Sequence, residues 1–404
     1  MWLARVTVSL ALMAGAVACD TTVTNPGPVS DDQLDKEVAL PAVVNGMARS
    51  FIRALNYVAF TGAGASHEIV ASSNGGPFGI TLRQGQGILD PSTDETNDHW
   101  VYAQQARWVA EDGVRRIRAT LGERFNASAL AAQALVYVGY ANRLLGENMC
   151  VGVIDNGPAQ PRTIYFDRAQ AAFTEAIAIA HSAGDAQLEL AARAGRADAR
   201  MWLGDWAGAV SDASLVPRAF VYQAHYTTLE QDQYNRIFWS NANQPYRDHS
   251  VIGTFYETYY QDFADPRTPW KKNPAIPNGI TSVPWYFQTK FTSRDSPINL
   301  STGREMRLII AESLLNSGDW QGSLSEINKL RSSVGVVPWT ASGVDETWAV
   351  LRRERGIELW LEGRRLGDLF RWNAAGRPGD APDTIGRHSC FPIGQTELSS
   401  NPNL

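Results

Sequence analysis

The pentapeptide Gly204-Asp205-Trp206-Ala207-Gly208 recurs 114 residues further on as Gly318-Asp319-Trp320-Gln321-Gly322. An amphipathic stretch (192–203, 304–316) runs into each copy and another (206–214, 320–332) runs out of it. Glycine ends the first helix in the left-handed conformation. Aspartate caps the second by accepting its free N–H groups, and tryptophan packs in the angle between them. This predicts the helix hairpin of tetratricopeptide-like repeats, in an array interrupted between the two copies.

The rest of the chain fits such a scaffold. Helical periodicity runs over 43–60, 98–121, 126–146 and 186–203, and Phe166, Ala169, Phe173, Ile177 and Ala180 form a further stripe. Residues 61–97 are glycine-rich and read as loop. The interruption, 217–297, is crowded with aromatic residues and broken by Pro245, Pro266, Pro269, Pro274, Pro277 and Pro284, so it cannot be one long helix. The expected class is all-α, with helical hairpins packed against a loop-rich, aromatic-rich variable region. The 404 residues carry 13 Trp, 13 Tyr and 14 Phe, more Trp than a core of this size usually needs, which points to some surface platforms.

The N-terminus reads as a targeting segment. Arg5 precedes an apolar run, Val6 to Val17, too short to span a bilayer, and Ala16-Val17-Ala18-Cys19 resembles a bacterial lipobox in which Cys19 is lipidated. The alternative is an ordinary signal peptide cleaved after Ala18. Residues 1–18 are therefore expected to be a signal peptide, 19–35 a lipidated, extended tether, and 36–404 a single domain with a variable insert over 217–300. An exported chain suggests that the two remaining cysteines, Cys150 and Cys390, are bonded; the other reading is two separate buried thiols. The net charge of −6 without a basic run argues against nucleic-acid binding. With no CxxC and only six unclustered His, neither a metal nor another cofactor is expected.

The most distinctive run is Glu354 to Trp372. Glu354, Glu358 and Glu362 recur every fourth residue, with Arg355, Arg364, Arg365 and Arg371 interleaved. Two glutamates could form an acid/base pair, but neighbouring arginines hold carboxylates ionised, which favours a buried ion-pair network that staples helices together. This run resembles the signature of the SusD/RagB family through Glu354, Arg355, Glu358, Leu359, Glu362, Gly363, Arg365, Asp368, Leu369, Arg371 and Trp372. Arg307 to Glu312, Asn316, Gly318, Ile327-Asn328 and Arg331 resemble the helix pair before it. Asp265-Pro266-Arg267, Pro392-Ile393, Glu397 and Asn401-Pro402-Asn403 also match the family, with Gly394 where a second proline is usual.

The resemblance implies an all-α fold and a non-enzymatic, surface-exposed outer-membrane lipoprotein. It would capture oligosaccharide or another nutrient and deliver it to a SusC-like TonB-dependent transporter. The chain is short for the family, which points to reduced loops and a small or simple ligand. Sugars present C–H faces to Trp and Tyr rings and hydroxyls to amides and charges. The ligand-binding candidates are therefore Asn97 and Trp100 at a loop-to-helix junction, Tyr259, Tyr260 and Trp270, and Trp285 with Tyr286; His67, Asn74 and Arg83 add polar contacts. Two other readings stand beside this one. One is an exported helical-repeat scaffold that binds a protein partner. The other is a glycoside-active enzyme, which would need two carboxylates about 5–10 Å apart on one cleft.

Overall fold

A computed structural model describes residues 31–71, 81–92, 94–242, 247, 249–277, 284–377, 379 and 390–404. The signal segment, Cys19, residues 20–30 and Asn74 lie outside the described residues. The helices are α1 (Asp31–Leu34), α2 (Leu40–Ala65), α3 (Leu82–Gly85), α4 (Asp94–Leu121), α5 (Ala129–Asn148), α6 (Thr163–Ala183), α7 (Ala186–Leu203), α8 (Trp206–Ser214), α9 (Phe255–Phe263), α10 (Gly303–Asn316), α11 (Trp320–Ser333), α12 (Val344–Glu358), α13 (Arg365–Ala374) and α14 (Gln395–Ser400). Six short strands accompany them: β1 (Val70–Ala71), β2 (Val221–Ala224), β3 (His249–Ser250), β4 (Trp270–Pro277), β5 (Pro284–Gln288) and β6 (Ile298–Thr302). They pair antiparallel as β1–β3, β2–β6 and β4–β5.

The two pentapeptides build matching corners. Gly204 and Gly318 take φ of 80° and 90°. Asp205 caps α8 by accepting from Gly208 N at 2.9 Å, and Asp319 caps α11 by accepting from Gly322 N at 2.8 Å. The closing glycine is required because a Cβ on Gly208 or Gly322 would collide with the capping carboxylate. Trp206 packs on the main core and Trp320 on a smaller one formed between α10, α11, α12 and α13. A third corner, Gly184-Asp185, works the same way: Gly184 has φ of 71° and Asp185 caps α7 through Leu188 N at 3.0 Å.

Neighbouring helices then stack in order from α4 through α8, with α2 on α4 and α5. Gly139 of α5 and Gly195 of α7 leave room for the Phe173 ring of α6, which a Cβ at either position would strike. The interruption does not separate the two hairpins in space, because α8 and α7 both pack on α10. The departing strand β2 pairs with the returning strand β6, and Gly303 N donates to Phe220 O at 2.9 Å across the neck. The insert therefore leaves the scaffold and re-enters it at one point.

Buried ion pairs fasten the insert to the scaffold. Glu354 accepts from Arg267 Nη1 at 2.6 Å, Arg331 Nη1 at 3.0 Å and Trp339 Nε1 at 2.9 Å. Glu358 accepts from Arg267 at 3.0 Å and Arg304 at 2.8 Å, and Glu362 from Lys290 and Asn299, both at 2.8 Å. The Asp265-Pro266-Arg267 turn aims Arg267, since Asp265 accepts from its Nε at 3.0 Å and its Nη2 at 2.7 Å. A second cluster ties Arg364 to Asp198, to Glu147 at 3.0 Å and to Glu305 at 2.7 Å. In a third, Arg371 meets Glu312 and Asp368, while Arg355 donates to Asp368 at 2.9 Å. Burial alone would raise the Asp368 carboxyl, but Arg355 and Arg371 overcome it and hold it at about 2. Every glutamate of the Glu354–Glu358–Glu362 ladder is thus occupied by a cation, as the structural reading of that run expects.

Cys150 and Cys390 are bonded, with Cα atoms 5.1 Å apart. The bridge brings the C-terminal segment beside the end of α5, where Cys150 N donates to Phe391 O at 2.9 Å. Two expectations need correction. Residues 61–65 and 94–97 are helical rather than loop: α2 runs on through Gly62 and Gly64 because Ala63 and Ala65 are wholly buried there, and packing outweighs glycine's low propensity. Residues 31–34 form a helical turn rather than extended tether, with Asp31 and Asp35 both accepting from Arg116 of α4.

Two predictions follow from these contacts. Asp205→Ala and Asp319→Ala should each cost about 1 kcal/mol of unfolding free energy, and Gly208→Ala should also destabilise; urea titration reads all three. Glu68, at the end of α2, accepts from the N–H of Leu361 at 2.7 Å, and Leu361 has a φ of 61°. Burial pushes the Glu68 carboxyl up to about 7, against the pull of the Leu361 N–H, Arg365 and Lys290. Because the folded value is raised, its contribution is full below the ordinary carboxylate range and is lost as pH rises through about 7. Thermal melts of Glu68→Gln against the parent should therefore diverge in the variant's favour from pH 5 to pH 8, by on the order of 3 kcal/mol.

Candidate functional site

Asn56 of α2 is buried, and its side chain reaches across to the insert. Its Nδ2 donates to Tyr234 O at 2.7 Å and its Oδ1 accepts from Arg236 N at 3.0 Å. The 234–239 segment is braced from behind by Asn235, which is fully buried. Asn235 N donates to Arg294 O at 2.7 Å, and its side chain bonds Ser296 O at 2.8 Å and Phe238 N at 3.0 Å. These bonds fix a pocket of about 260 Å³ between α2 and the insert, lined by Tyr57, Tyr234 and Trp239 with Gln231, Asp232, Arg236 and Ser240.

Three half-buried rings dominate its walls. Tyr234 and Trp239 meet edge to face at 5.3 Å. The Arg294 guanidinium lies over both, 5.0 Å from Tyr234 and 4.6 Å from Trp239. Arg236 lies 4.3 Å over Tyr57, whose other side meets Tyr102 at 4.9 Å. Asp232 stands at the rim, 3.5 Å from Arg49. Beneath, His249 is buried against Phe60; burial and Arg236 push its imidazole down to about 3, so it stays neutral. Chemically this is a binding pocket: rigid aromatic faces for an apolar surface, ringed by amide, carboxylate and guanidinium groups for hydroxyls. Its volume is just under the about 300–1,000 Å³ typical of small-molecule sites, which suits a small ligand or one end of a larger one.

The residues expected from sequence fall in three places. Asn97 and Trp100 face the C-terminal segment. Asn97 Oδ1 accepts from Thr396 N at 3.0 Å, and Trp100, 1 % exposed, donates from Nε1 to Glu397 at 3.3 Å. Trp100 therefore offers no stacking face, because its helical phase points it into the core. Tyr259 is buried within the ion network, its hydroxyl donating to Asp265 at 2.6 Å and accepting from Arg331 at 2.9 Å. Trp285 is buried beneath the β4–β5 hairpin, with Nε1 on His249 O at 3.3 Å. Tyr260, Trp270 and Tyr286 do come together. Trp270 stacks on Tyr286 at 5.1 Å and meets Tyr260 at 6.1 Å, and exposed Lys272 lies 4.9 Å over Tyr286. Of the polar candidates, His67 bonds Gly85 O at 2.9 Å and Arg83 lies 3.6 Å from Asp90.

Tyr57, Tyr234, Arg236 and Trp239 were not singled out by sequence reasoning. Tyr57 sits in a helix whose other aromatics are core. The usable signal was the alternation of rings and polar groups from Tyr234 to Trp239, beside a helix that ends in buried small residues. The acid/base reading of Glu354 and Glu358 has no open site, since both are buried and paired with arginines.

Comparison with known proteins places this geometry. Residues 224–389 match the model of the SusD family. A SusD-like carbohydrate binding protein from Bacteroides vulgatus is similar in structure, with a TM-score of 0.67 at 14 % identity over 91 % of this chain and 97 % of that one. A SusD homolog from Bacteroides thetaiotaomicron gives 0.69 at 15 % identity, over 93 % and 98 %. No curated protein matches the sequence. The matched residues include the Asp265-Pro266-Arg267 turn and the whole Glu354–Trp372 run, and these are the residues that lock the insert to the helical scaffold. Residues 224–389 thus match the SusD family in sequence, and the chain shares along nine tenths of its length the fold of these SusD-like structures.

Proposed function

We propose that this protein is a surface-exposed lipoprotein that captures oligosaccharide, or another nutrient of similar chemistry, and delivers it to a SusC-like TonB-dependent outer-membrane transporter. The observation that carries the binding role is the braced pocket of Tyr57, Tyr234 and Trp239 with Asp232 and Arg236 at its edge. The similar Bacteroides vulgatus protein is a SusD-like carbohydrate binding protein, which supports the same class of ligand. Trp270 is itself buried, its Nε1 donating to Glu257 O at 3.3 Å, so half-buried Tyr286 and Tyr260 with exposed Lys272 are what this part of the insert offers a ligand, and the turn that bears Trp239 packs against β5, which bears Tyr286. Among the described residues no helix is long and apolar enough to cross a membrane. In this reading attachment falls to lipid on Cys19, and the SusD-family match of residues 224–389 supports outer-membrane placement and a transporter partner.

Binding is tested by calorimetry with a panel of neutral oligosaccharides. Trp239→Ala and Tyr57→Ala should each weaken the best ligand at least tenfold, the size of an aromatic hot spot, with thermal melts unchanged within a few degrees. Affinity that survives both substitutions would move the ligand out of this pocket. Delivery is tested by recovering the tagged protein from gently solubilised outer membranes: a stoichiometric TonB-dependent barrel is expected. Recovery of soluble partners alone would favour the protein-binding scaffold instead. Cys19→Ala should release the protein from membranes.

A further inference from the structure

Trp108 of α4 is 54 % exposed, and it is the only aromatic residue in the exposed class among the described residues. It borders a cleft of about 460 Å³, remote in its lining from the Trp239 pocket and shared with Gln104, Gln105, Asp155, Asn156 and Glu397. The rest of the lining is amides, carboxylates and Arg107, with Val153 its one aliphatic residue, which sets this cleft apart from a hydrophobic protein-docking face.

The cleft is also lined by a tight turn. Gly157 N donates to Ile154 O at 2.8 Å, and both central residues are left-handed, with φ of 47° at Asp155 and 59° at Asn156. Asp and Asn are the non-glycine residues that most readily take this conformation, and a two-residue turn of this kind favours them. Side chains from two other segments fix the turn in place. Buried Arg107 donates to Asp155 at 2.7 Å, Asn403 Nδ2 to Asn156 O at 2.7 Å, and Asn401 Nδ2 to Gly157 O at 2.9 Å. The Cys150–Cys390 bridge holds the two contributing segments together. The effect is to hold a carboxylate that is 60 % exposed, and the backbone that bears Asn156, in one position in the cleft that Trp108 lines.

We propose that this cleft is a second carbohydrate site, which takes one pyranose unit of a neutral glycan. The apolar face of the sugar lies on Trp108, and its hydroxyls bond Gln105, Asp155 and Asn156. A neutral sugar is specified because the cationic group in the lining, Arg107, is committed to Glu111 and Asp155, and the remaining charges, Asp155 and Glu397, are negative. A uronic acid or sulfated sugar would meet like charge. The site stands on residues separate from the Trp239 pocket and does not depend on it.

The test is ¹⁹F NMR of the intact protein labelled with 5-fluorotryptophan, with Trp108 and Trp239 assigned by Trp108→Phe and Trp239→Phe. Cellohexaose, xylohexaose, mannohexaose and maltohexaose are each added to millimolar concentration. The expected result is a saturable shift of the Trp108 resonance with at least one glycan. Asp155→Ala should weaken it about tenfold, the value of one charge-assisted hydrogen bond. Gln105→Ala, an exposed change outside the turn, should weaken it several-fold with an unchanged melt. A Trp108 resonance unmoved by all four glycans overturns the proposal and returns the indole to a protein-contact role. A shift that neither substitution weakens overturns it as non-specific stacking. Movement of Trp239 alone overturns this site and leaves the pocket reading intact; movement of Trp108 alone upholds it and counts against the pocket.

Discussion

Arg267 and Arg331 both donate to the buried carboxylate of Glu354, and the relation of insert to scaffold depends on that meeting. Arg267 comes from the insert, Arg331 from the second pentapeptide hairpin, and Glu354 from the following helix. Removing any one of them leaves buried charge on the others less than fully matched. A buried charge left without its partner costs about 3–5 kcal/mol, whereas the complete pair gains little over apolar packing. The lattice therefore acts less as a source of stability than as a condition on which segments can meet. The Arg364 cluster extends the condition to α5, α7 and α10 through Glu147, Asp198 and Glu305. Burial raises the Glu147 and Glu305 carboxyls against the pull of Arg364, whereas at Asp198 burial is overcome by the pull of Arg364 and Arg143, which hold the carboxyl below its ordinary range.

This division of labour explains what the sequence disclosed. Corners and helices were legible because their causes are local: a left-handed glycine, a capping aspartate, and the space a following glycine leaves for the carboxylate. The ion ladder was legible as structure because arginines are interleaved with glutamates along the run Glu354–Trp372, although α12 ends at Glu358 and Glu362 lies before α13. Its partners were only partly so, since Asp198 and Glu147 lie far away in the chain with nothing local to mark them. The lipobox lies outside the described residues, and of the expected tether only its last residues are described, where Arg116 draws Asp31 and Asp35 into a helical turn that no local pattern announces.

The binding surface was the least legible part, and Trp100 and Trp108 show why. Both lie on α4. The buried positions of that helix, Ala103, Ala106, Ala110, Val114 and Ile117, follow a helical stripe that includes Trp100. Trp108 stands two residues from both Ala106 and Ala110, on the opposite side. A tryptophan at a helix start looks like a platform, yet phase assigns it to the core and assigns the other to solvent. Within the insert no such phase exists. Tyr259 and Tyr260 are neighbours in one short helix, and one is sealed in the ion network while the other faces Trp270. Exposure there is decided by how the insert closes on the scaffold, which no short window records.

The neck formed by β2 and β6 gives that closure a functional consequence. Because the insert leaves and returns at one point, changes in its length or composition need not disturb the stacked hairpins, provided Arg267 still reaches Glu354. The pocket of Tyr57, Tyr234 and Trp239 lies across this boundary, with one wall on rigid α2 and the other on a loop whose backbone is tied to α2 by a single buried asparagine. A wall that can vary, held at fixed distance from one that does not, lets a scaffold of this kind change its ligand without relearning its fold. Asn56 is therefore the residue on which register between the two walls rests: both of its side-chain bonds go to the backbone of the opposing loop, so they constrain position without prescribing the side chains that line the pocket.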